Sequence, residues 1–563
     1  MRFRGMYQIV LLLFCVSMVI CSNPREQRRE ESIHLLSERL RSRVEWLETS
    51  SLPINMGDER IYASRALPVF YERRAFHPAW INDQGPGDQI TDLINAVGNA
   101  DSEGLRSDDY HLEKIKGILK EIRERQRSKQ TFNPGHVTDL ELLCTDSFLI
   151  YASHLLSGRV NPETIDSEWL ANRREGDMAA VLEQALKRKR IRATLDSLLP
   201  RQAGYQRMRT ALARFRTTAR SGGWDKLPEG MIWQEGDSGN HIIELRRRMN
   251  IFLAPGLQID SGNPLYDASL AAAVRIFQNR SGLDVSGIVE NTTLNELNIS
   301  VEDRIGQIEV NMERWRWLPQ DLGRHYILIN IANFELDVIE DDNQVMTMKV
   351  VTGKPYRRTP VFSDRMTYLV FNPYWNVPPG IAANDILPAI QKNPSYLTER
   401  KIRVFKGWGA DMVEMDPSSI DWISLSPDYF PYRFRQDPGP QNALGRIKFM
   451  FPNKFSIYLH DTPSRDLFAK TERAFSSGCI RLENPVKLAE YVLNDNPKWN
   501  LQAITAALDS GEEHTVSLPE PVPVHILYWT AWAEEDGAIH FRKDIYDRDR
   551  PLLEALKEGP PQT

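Results

Sequence analysis

The spacing of apolar residues changes near residue 300, and that change limits the fold more than any other feature of the chain. Before it, apolar residues recur at three- and four-residue intervals, as in Asp139–Leu156 and Met178–Leu186, the spacing that lines one face of a helix. After it they gather in short, partly alternating runs: His325–Ile339, then Val345–Val351 beyond a polar turn at Glu340–Gln344, then Met366–Phe371, Ile447–Phe451 and Lys454–His460. That is the grammar of strands. Few helical patterns separate them, so a largely antiparallel β domain is expected rather than a parallel α/β sheet. With 563 residues, the chain is too long for a single core. The expected architecture is multidomain α+β: a helical scaffold over 23–230, a three-helix module over 231–300, and a mainly antiparallel β domain over 301–500. An inserted capping or lid subdomain occupies 376–441. A C-terminal extension over 501–563 is expected to pack on the scaffold or the β domain.

The N-terminus adds a constraint on location. Arg2 and Arg4 precede an uncharged, mostly apolar run from Gly5 to Ser22, the order of an export signal. Val19-Ile20-Cys21 forms a poor small-residue cleavage site, and the run approaches the ~17–25 residues that span a bilayer. Residues 1–22 are therefore read as a signal peptide or a membrane anchor. The formal net charge of −6 supplies no basic face for nucleic acid.

Four cysteines occur, Cys15, Cys21, Cys144 and Cys479, too few and too widely spaced for a disulfide framework. Cys144 lies in an apolar run, where a packing role is expected. Cys479 lies in the small-residue loop Ser476-Ser-Gly-Cys-Ile-Arg481. That contrast nominates Cys479 as a nucleophile. A thiolate attacks where a thiol does not, and a nearby imidazole can generate it. His460, at the end of Ile457-Tyr-Leu-His-Asp-Thr-Pro463, is the candidate general base. Asp461 or a backbone carbonyl can fix its tautomer, and Asp461 is also a candidate substrate contact. Gly478 lets the backbone approach a substrate, and its N–H with that of Cys479 can hold an oxyanion, supported by Ser477. Arg481 either anchors a substrate carboxylate or braces the loop. Tyr458 shares the strand face of His460 and either lines the site or packs. Trp375 opens the insertion as a substrate contact or a packing residue. No metal-ligand spacing is present, and no cofactor is expected.

Two resemblances sharpen this reading. Gly236-Asp-Ser-Gly239, Ala273–Gln278 and Gly282-Leu…Gly287-Ile-Val resemble the small three-helix peptidoglycan-binding module. His460-Asp-Thr-Pro463 followed by Ser476-Ser-Gly-Cys-Ile-Arg481 resembles the motif of the YkuD-type L,D-transpeptidases. Ser477 stands where that family usually has His. This departure, with Arg314–Pro319, Asn372–Pro378 and Pro438–Arg446, resembles the YcbB-type branch. The resemblance implies a periplasmic acyltransferase, free or tethered to the inner membrane. Its partners would be peptidoglycan stem peptides and glycan strands, and carbapenem-type β-lactams would inhibit it. Cys479 would attack a tetrapeptide donor, release D-Ala, and pass the acyl group to another stem as a 3→3 cross-link. An L,D-carboxypeptidase or a protein-to-peptidoglycan ligase would use the same acyl-enzyme. A catalytically inactive wall-binding scaffold is the alternative of another class.

Overall fold

The computed structural model describes residues 24–50, 54–128, 130, 133–170, 173–254, 256–407 and 409–561. The expected signal or anchor at 1–22 lies outside them. Among the described residues no helix is long and apolar enough to cross a membrane. The chain forms two compact units, one of residues 1–159, 175–199 and 559–563, the other of 160–174 and 200–558.

The first unit is helical. Its centre is Pro134–Ser157, which starts where Asn133 caps the helix and Pro134 occupies its first turn. Pro134-Gly135 thus opens a helix instead of interrupting one, as proline at this position does. Almost every side chain of this helix is buried, including the polar ones, and these are partnered. Asp146 accepts Ala63 N–H at 2.8 Å and meets His111 Nε2 at 2.8 Å, while the His111 Nδ1 meets Glu59 at 2.6 Å. Cys144 is wholly buried.

The expected scaffold boundary at 230 is corrected. Residues 160–174 and everything from 200 to 558 belong to the second unit. There helix Ala203–Arg220 packs on Val301–Arg316, joined by Arg216 to Glu309 at 2.6 Å and by Arg316 to the Tyr205 hydroxyl at 2.9 Å. Between these two lie the helices Asn240–Phe252, Ala268–Arg280 and Asn291–Leu297. Asp267 caps the second through Leu270 N–H. Helix Val301–Arg316 buries several charged residues. Arg314 pairs with Asp549 at 2.6 Å and Arg316 with Glu313 at 2.7 Å, the pairing that makes buried charge tolerable.

The β domain comprises β1 (His325–Asn330), β2 (Glu335–Glu340), β3 (Asn343–Gly353), β4 (Phe362–Phe371), β5 (Ile447–Met450), β6 (Leu459–His460), β7 (Ala474–Ser476), β8 (Ile480–Leu482) and β9 (His514–Leu527). The order is β7-β3-β8-β6-β5-β4-β9-β1-β2, and β2 also pairs with β3. Eight strands therefore close into a ring, leaving β7 alongside β3. Six ring pairings are antiparallel; β6 with β8 and β9 with β1 are parallel. Alternate residues Ile327, Ile329, Leu336, Val338, Phe449, Leu459, Ile480 and Leu482 fill the common core, so their neighbours face outward.

One further boundary differs from expectation. Segment 501–563 is not an appendage, because β9 lies between β4 and β1 inside the ring. The insertion instead has its own four-stranded sheet, ordered Val413–Met415, Ile402–Lys406, Tyr432–Gln436, Trp375–Asn376. It also has its own core of Val377, Ile386, Ile390, Val404 and Phe434.

Candidate active site

The site is assembled on very short strands. β6 and β8 run parallel with Leu459 opposite Ile480 and His460 opposite Arg481. Since Leu459 and Ile480 point into the core, Tyr458, His460, Cys479 and Arg481 share the outer face. On the other side of β6, Lys448 of β5 lies opposite His460, between the core residues Ile447 and Phe449. Five chemically active side chains therefore stand together on one patch of the ring. Four of these were nominated by sequence. Lys448 was not, although a lysine between two core strand residues was its visible signal.

Cys479 is half-buried. Its Sγ lies 3.9 Å from the Ser456 carbonyl. Burial pushes the thiol above its ordinary value, opposed by hydrogen bonds from the Tyr458 main chain and hydroxyl and by the charges of Lys448 and Arg481. His460 is 4% exposed, and burial, then Arg481, with a further push from Lys448, brings its pKa down to about 3. Its ring is consequently neutral. Nδ1 faces the Asp461 carbonyl at 2.5 Å, and the Leu444 carbonyl also faces the ring. A backbone carbonyl, not a carboxylate, orients the imidazole, and in this conformation the ring makes no hydrogen bond to Cys479.

The expected substrate role of Asp461 is corrected by its partners. Its carboxylate accepts Arg446 N–H at 2.9 Å and meets Arg465 at 3.2 Å, so it is spent on holding its own loop. Trp375 packs against the insertion core, with its strand paired to Gln436, and has a packing role. Tyr458 is half-buried with the Lys448 ammonium 4.0 Å from its ring centroid. Arg481 buries an unpartnered Nε, and burial lowers its pKa.

The loop before Cys479 is held by hydrogen bonds that sequence did not reveal. Ser476 Oγ donates to the Cys479 carbonyl at 2.5 Å and accepts Gly478 N–H at 3.1 Å. Gly478 N–H, an expected oxyanion donor, is thereby occupied, whereas Cys479 N–H has no acceptor among the described residues. Gly478 adopts φ +115°, a backbone that favours glycine. Thr359 Oγ1 donates to the Gly478 carbonyl at 2.7 Å and accepts Gly353 N–H at 2.9 Å. The exposed Ser477 Oγ accepts from Arg357 at 3.0 Å, and the same guanidinium pairs with Asp385 of the insertion.

Residues 324–521 match the family model of the YkuD L,D-transpeptidase catalytic domain, and residues 65–212 match a scaffold domain. The β domain is thus the part of the chain that matches an L,D-transpeptidase catalytic domain. A Haemophilus influenzae protein provisionally named an L,D-transpeptidase is 35% identical over 254 residues, which are 45% of this chain and 50% of that relative. The chain thus spans half the length of the curated relative it matches. Solved structures similar to it include an L,D-transpeptidase from Mycobacterium smegmatis, at 12% identity over 36% of this chain and 58% of that one. Another is an L,D-transpeptidase from Xylanimonas cellulosilytica, at 15% identity over 53% of this chain and 99% of that one. Both have a TM-score of 0.17.

Proposed function

We propose that the protein is a cysteine-dependent L,D-transpeptidase acting on peptidoglycan stem peptides outside the cytoplasm, with Cys479 as nucleophile and His460 as proton carrier. The observation that carries this reading is the parallel pairing of β6 with β8, which sets a half-buried thiol and a neutral imidazole on one face. In the resting state both groups are uncharged. A turn of the His460 ring away from the Asp461 carbonyl lets a ring nitrogen take the thiol proton as sulfur attacks the carbonyl of the third stem residue, diaminopimelate. The Cys479 N–H supports the oxyanion, a donor worth ~3 kcal/mol in such sites. The proton passes to the departing D-Ala nitrogen as the carbon–nitrogen bond breaks, leaving a thioester. An amine from a second stem attacks that thioester and restores the thiol, giving a 3→3 cross-link. Amide replaces amide, so no nucleotide is consumed. Arg481, with no carboxylate partner among the described residues, suits a stem carboxylate.

The test uses purified protein and disaccharide-tetrapeptides, with products read by mass spectrometry. Wild type is expected to give 3→3 dimers, and Cys479→Ala none. Dimers from the variant would remove Cys479 from the reaction. A carbapenem, whose strained ring amide meets the same sulfur, is expected to add one covalent mass to wild type and none to the variant. Label recovered on Cys144 would overturn the assignment.

A further inference from the structure

The outer face of the ring holds more positive charge beside the thiol than ion pairing accounts for. Lys448 and Arg481 flank the β6 strand from opposite sides, one on β5 and one on β8. Among the described residues neither meets a carboxylate within ion-pair distance, and Arg481 Nε is buried without any partner. Unpaired half-buried cations are costly unless an anion forms beside them. The groups that face Lys448 are few. Cys479 and Tyr458 lie across β6, His460 lies directly opposite, and Glu513 approaches from the segment before β9. Glu513 is already engaged, accepting Tyr374 N–H at 3.0 Å, and His460 is neutral. The sulfur is therefore the remaining site where negative charge can develop.

Lys448 is also placed to act through a second group. Its ammonium lies 4.0 Å from the Tyr458 ring centroid, a cation–π distance, and the Tyr458 hydroxyl faces the Cys479 sulfur. We propose that Lys448 is a positioning residue that pins the Tyr458 ring against Cys479 and, together with Arg481, supplies the positive charge under which the sulfur anion forms. This rests on Cys479 being the nucleophile. It divides the labour differently from a simple Cys–His pair: His460 carries the proton, while Lys448, Tyr458 and Arg481 hold the charge that remains. An opposite charge within ~4–6 Å shifts an ionisation by one unit or more, so loss of Lys448 is expected to cut the thiolate fraction about tenfold.

The experiment is alkylation of the full-length protein with iodoacetamide from pH 6 to 10, quantified on the Cys479 peptide by mass spectrometry. Lys448→Met is expected to displace the rate–pH curve upward by about one unit, and Lys448→Arg to restore it. Loss of access alone would lower the rate equally at all pH values and would overturn the inference, as would a Met variant titrating with wild type. Tyr458→Phe keeps the ring and removes the hydroxyl. It is expected to move the curve in the same direction, and an unmoved curve there also overturns the proposal, whether or not the Met variant folds. Ionisation and turnover are read separately. Failure here with intact 3→3 synthesis removes only the role of Lys448, whereas absent synthesis by wild type removes the transpeptidase reading.

Discussion

Thr359 is the best place to test whether the Cys479 loop is held from behind. Its side chain is fully buried. The hydroxyl donates to the Gly478 carbonyl at 2.7 Å and accepts Gly353 N–H at 2.9 Å, so one oxygen ties the end of β3 to the residue before the nucleophile. Tyr546 reinforces the same corner, donating to the Gly353 carbonyl at 2.6 Å and accepting Thr359 N–H at 3.2 Å. Thr359→Val keeps the volume and removes both bonds. Each buried group left unpaired costs about 1–3 kcal/mol, which gives about 2–6 kcal/mol for the pair. In a unit of this size that lowers the melting temperature by roughly 3–8 °C. Thr359→Ser keeps the oxygen and is expected to cost under about 1.5 kcal/mol. The loop should loosen as well as weaken, and misplacing a reacting atom by 1 Å costs up to about a hundredfold in rate. The assays are thermal unfolding by circular dichroism and the rate of carbapenem acylation by intact-protein mass spectrometry, on wild type, Ser and Val. A Val variant that melts and acylates like wild type would refute the claim that this hydroxyl holds the loop.

Three further outcomes follow from the same coordinates. Gly478→Ala has room, since a β-carbon would lie 3.4 Å from Ile457 Cδ1 and 3.5 Å from the Arg358 carbonyl, but φ +115° strains it by about 1–3 kcal/mol. Acylation should therefore fall at least tenfold in a folded protein, and an unaffected rate would count against the loop geometry. With the His460 pKa pushed down to about 3 and the Cys479 thiol pushed up, both groups stay neutral from pH 5 to 8, and the rate of acylation with His460 as base should be flat across that range. An acid limb near pH 6.5 would contradict a buried neutral imidazole. In the first unit, burial opposes the charge on His111, but its hydrogen bonds to Asp146 and Glu59 outweigh burial and raise its pKa to about 9. A pKa raised in the folded state contributes stability that is complete below 6.5 and lost as pH rises through about 9. Urea unfolding of that unit should show a loss of about 3 kcal/mol over this window, and His111→Gln should flatten the dependence.

How much of this was legible in sequence depends on the range of the interaction. The helical and strand grammars, the central helix and the nomination of Cys479 and His460 all came from residues within a few positions of one another, where periodicity and local chemistry are readable. The boundary at 500 failed because His514–Leu527 carries Pro519, Pro521 and Pro523, which normally argue against an interior strand. Pro519 and Pro521 fall at a shift in register between Ser517 and Val522, while Pro523 sits opposite Arg365. Lys448 stayed invisible because its relation to His460 exists only through the β5–β6 register, and no local pattern encodes a register. The hydrogen bond of Gly478 N–H is local, to Ser476 two residues earlier, but it depends on the side-chain rotamer of that serine, which sequence does not specify.

Register is also what the chemistry depends on. β6 has two residues and β8 has three, so neither strand can specify its own alignment by side-chain pattern. A slip of one residue would turn Cys479 from the outer face to the core. The alignment must therefore be fixed from the flanking loops, and the hydrogen bonds there run in that sense. Asp461 N–H donates to the Ile447 carbonyl at 2.9 Å, and the Asp461 carboxylate takes Arg446 N–H, which pins the end of β6 to β5. Arg465 reaches from the loop after β6 to the Leu482 carbonyl at 3.3 Å and to the Glu483 carbonyl, which pins β6 to the end of β8. Gly445 has φ +62°, and a β-carbon there would lie 2.4 Å from the Asp461 carboxylate, so this corner closes only around glycine. Ser476 and Thr359 fix the start of β8 from the other side. The nucleophile itself makes few contacts, and its orientation is the resultant of these five anchors. Substitutions at them should therefore lower reactivity without touching any reacting atom.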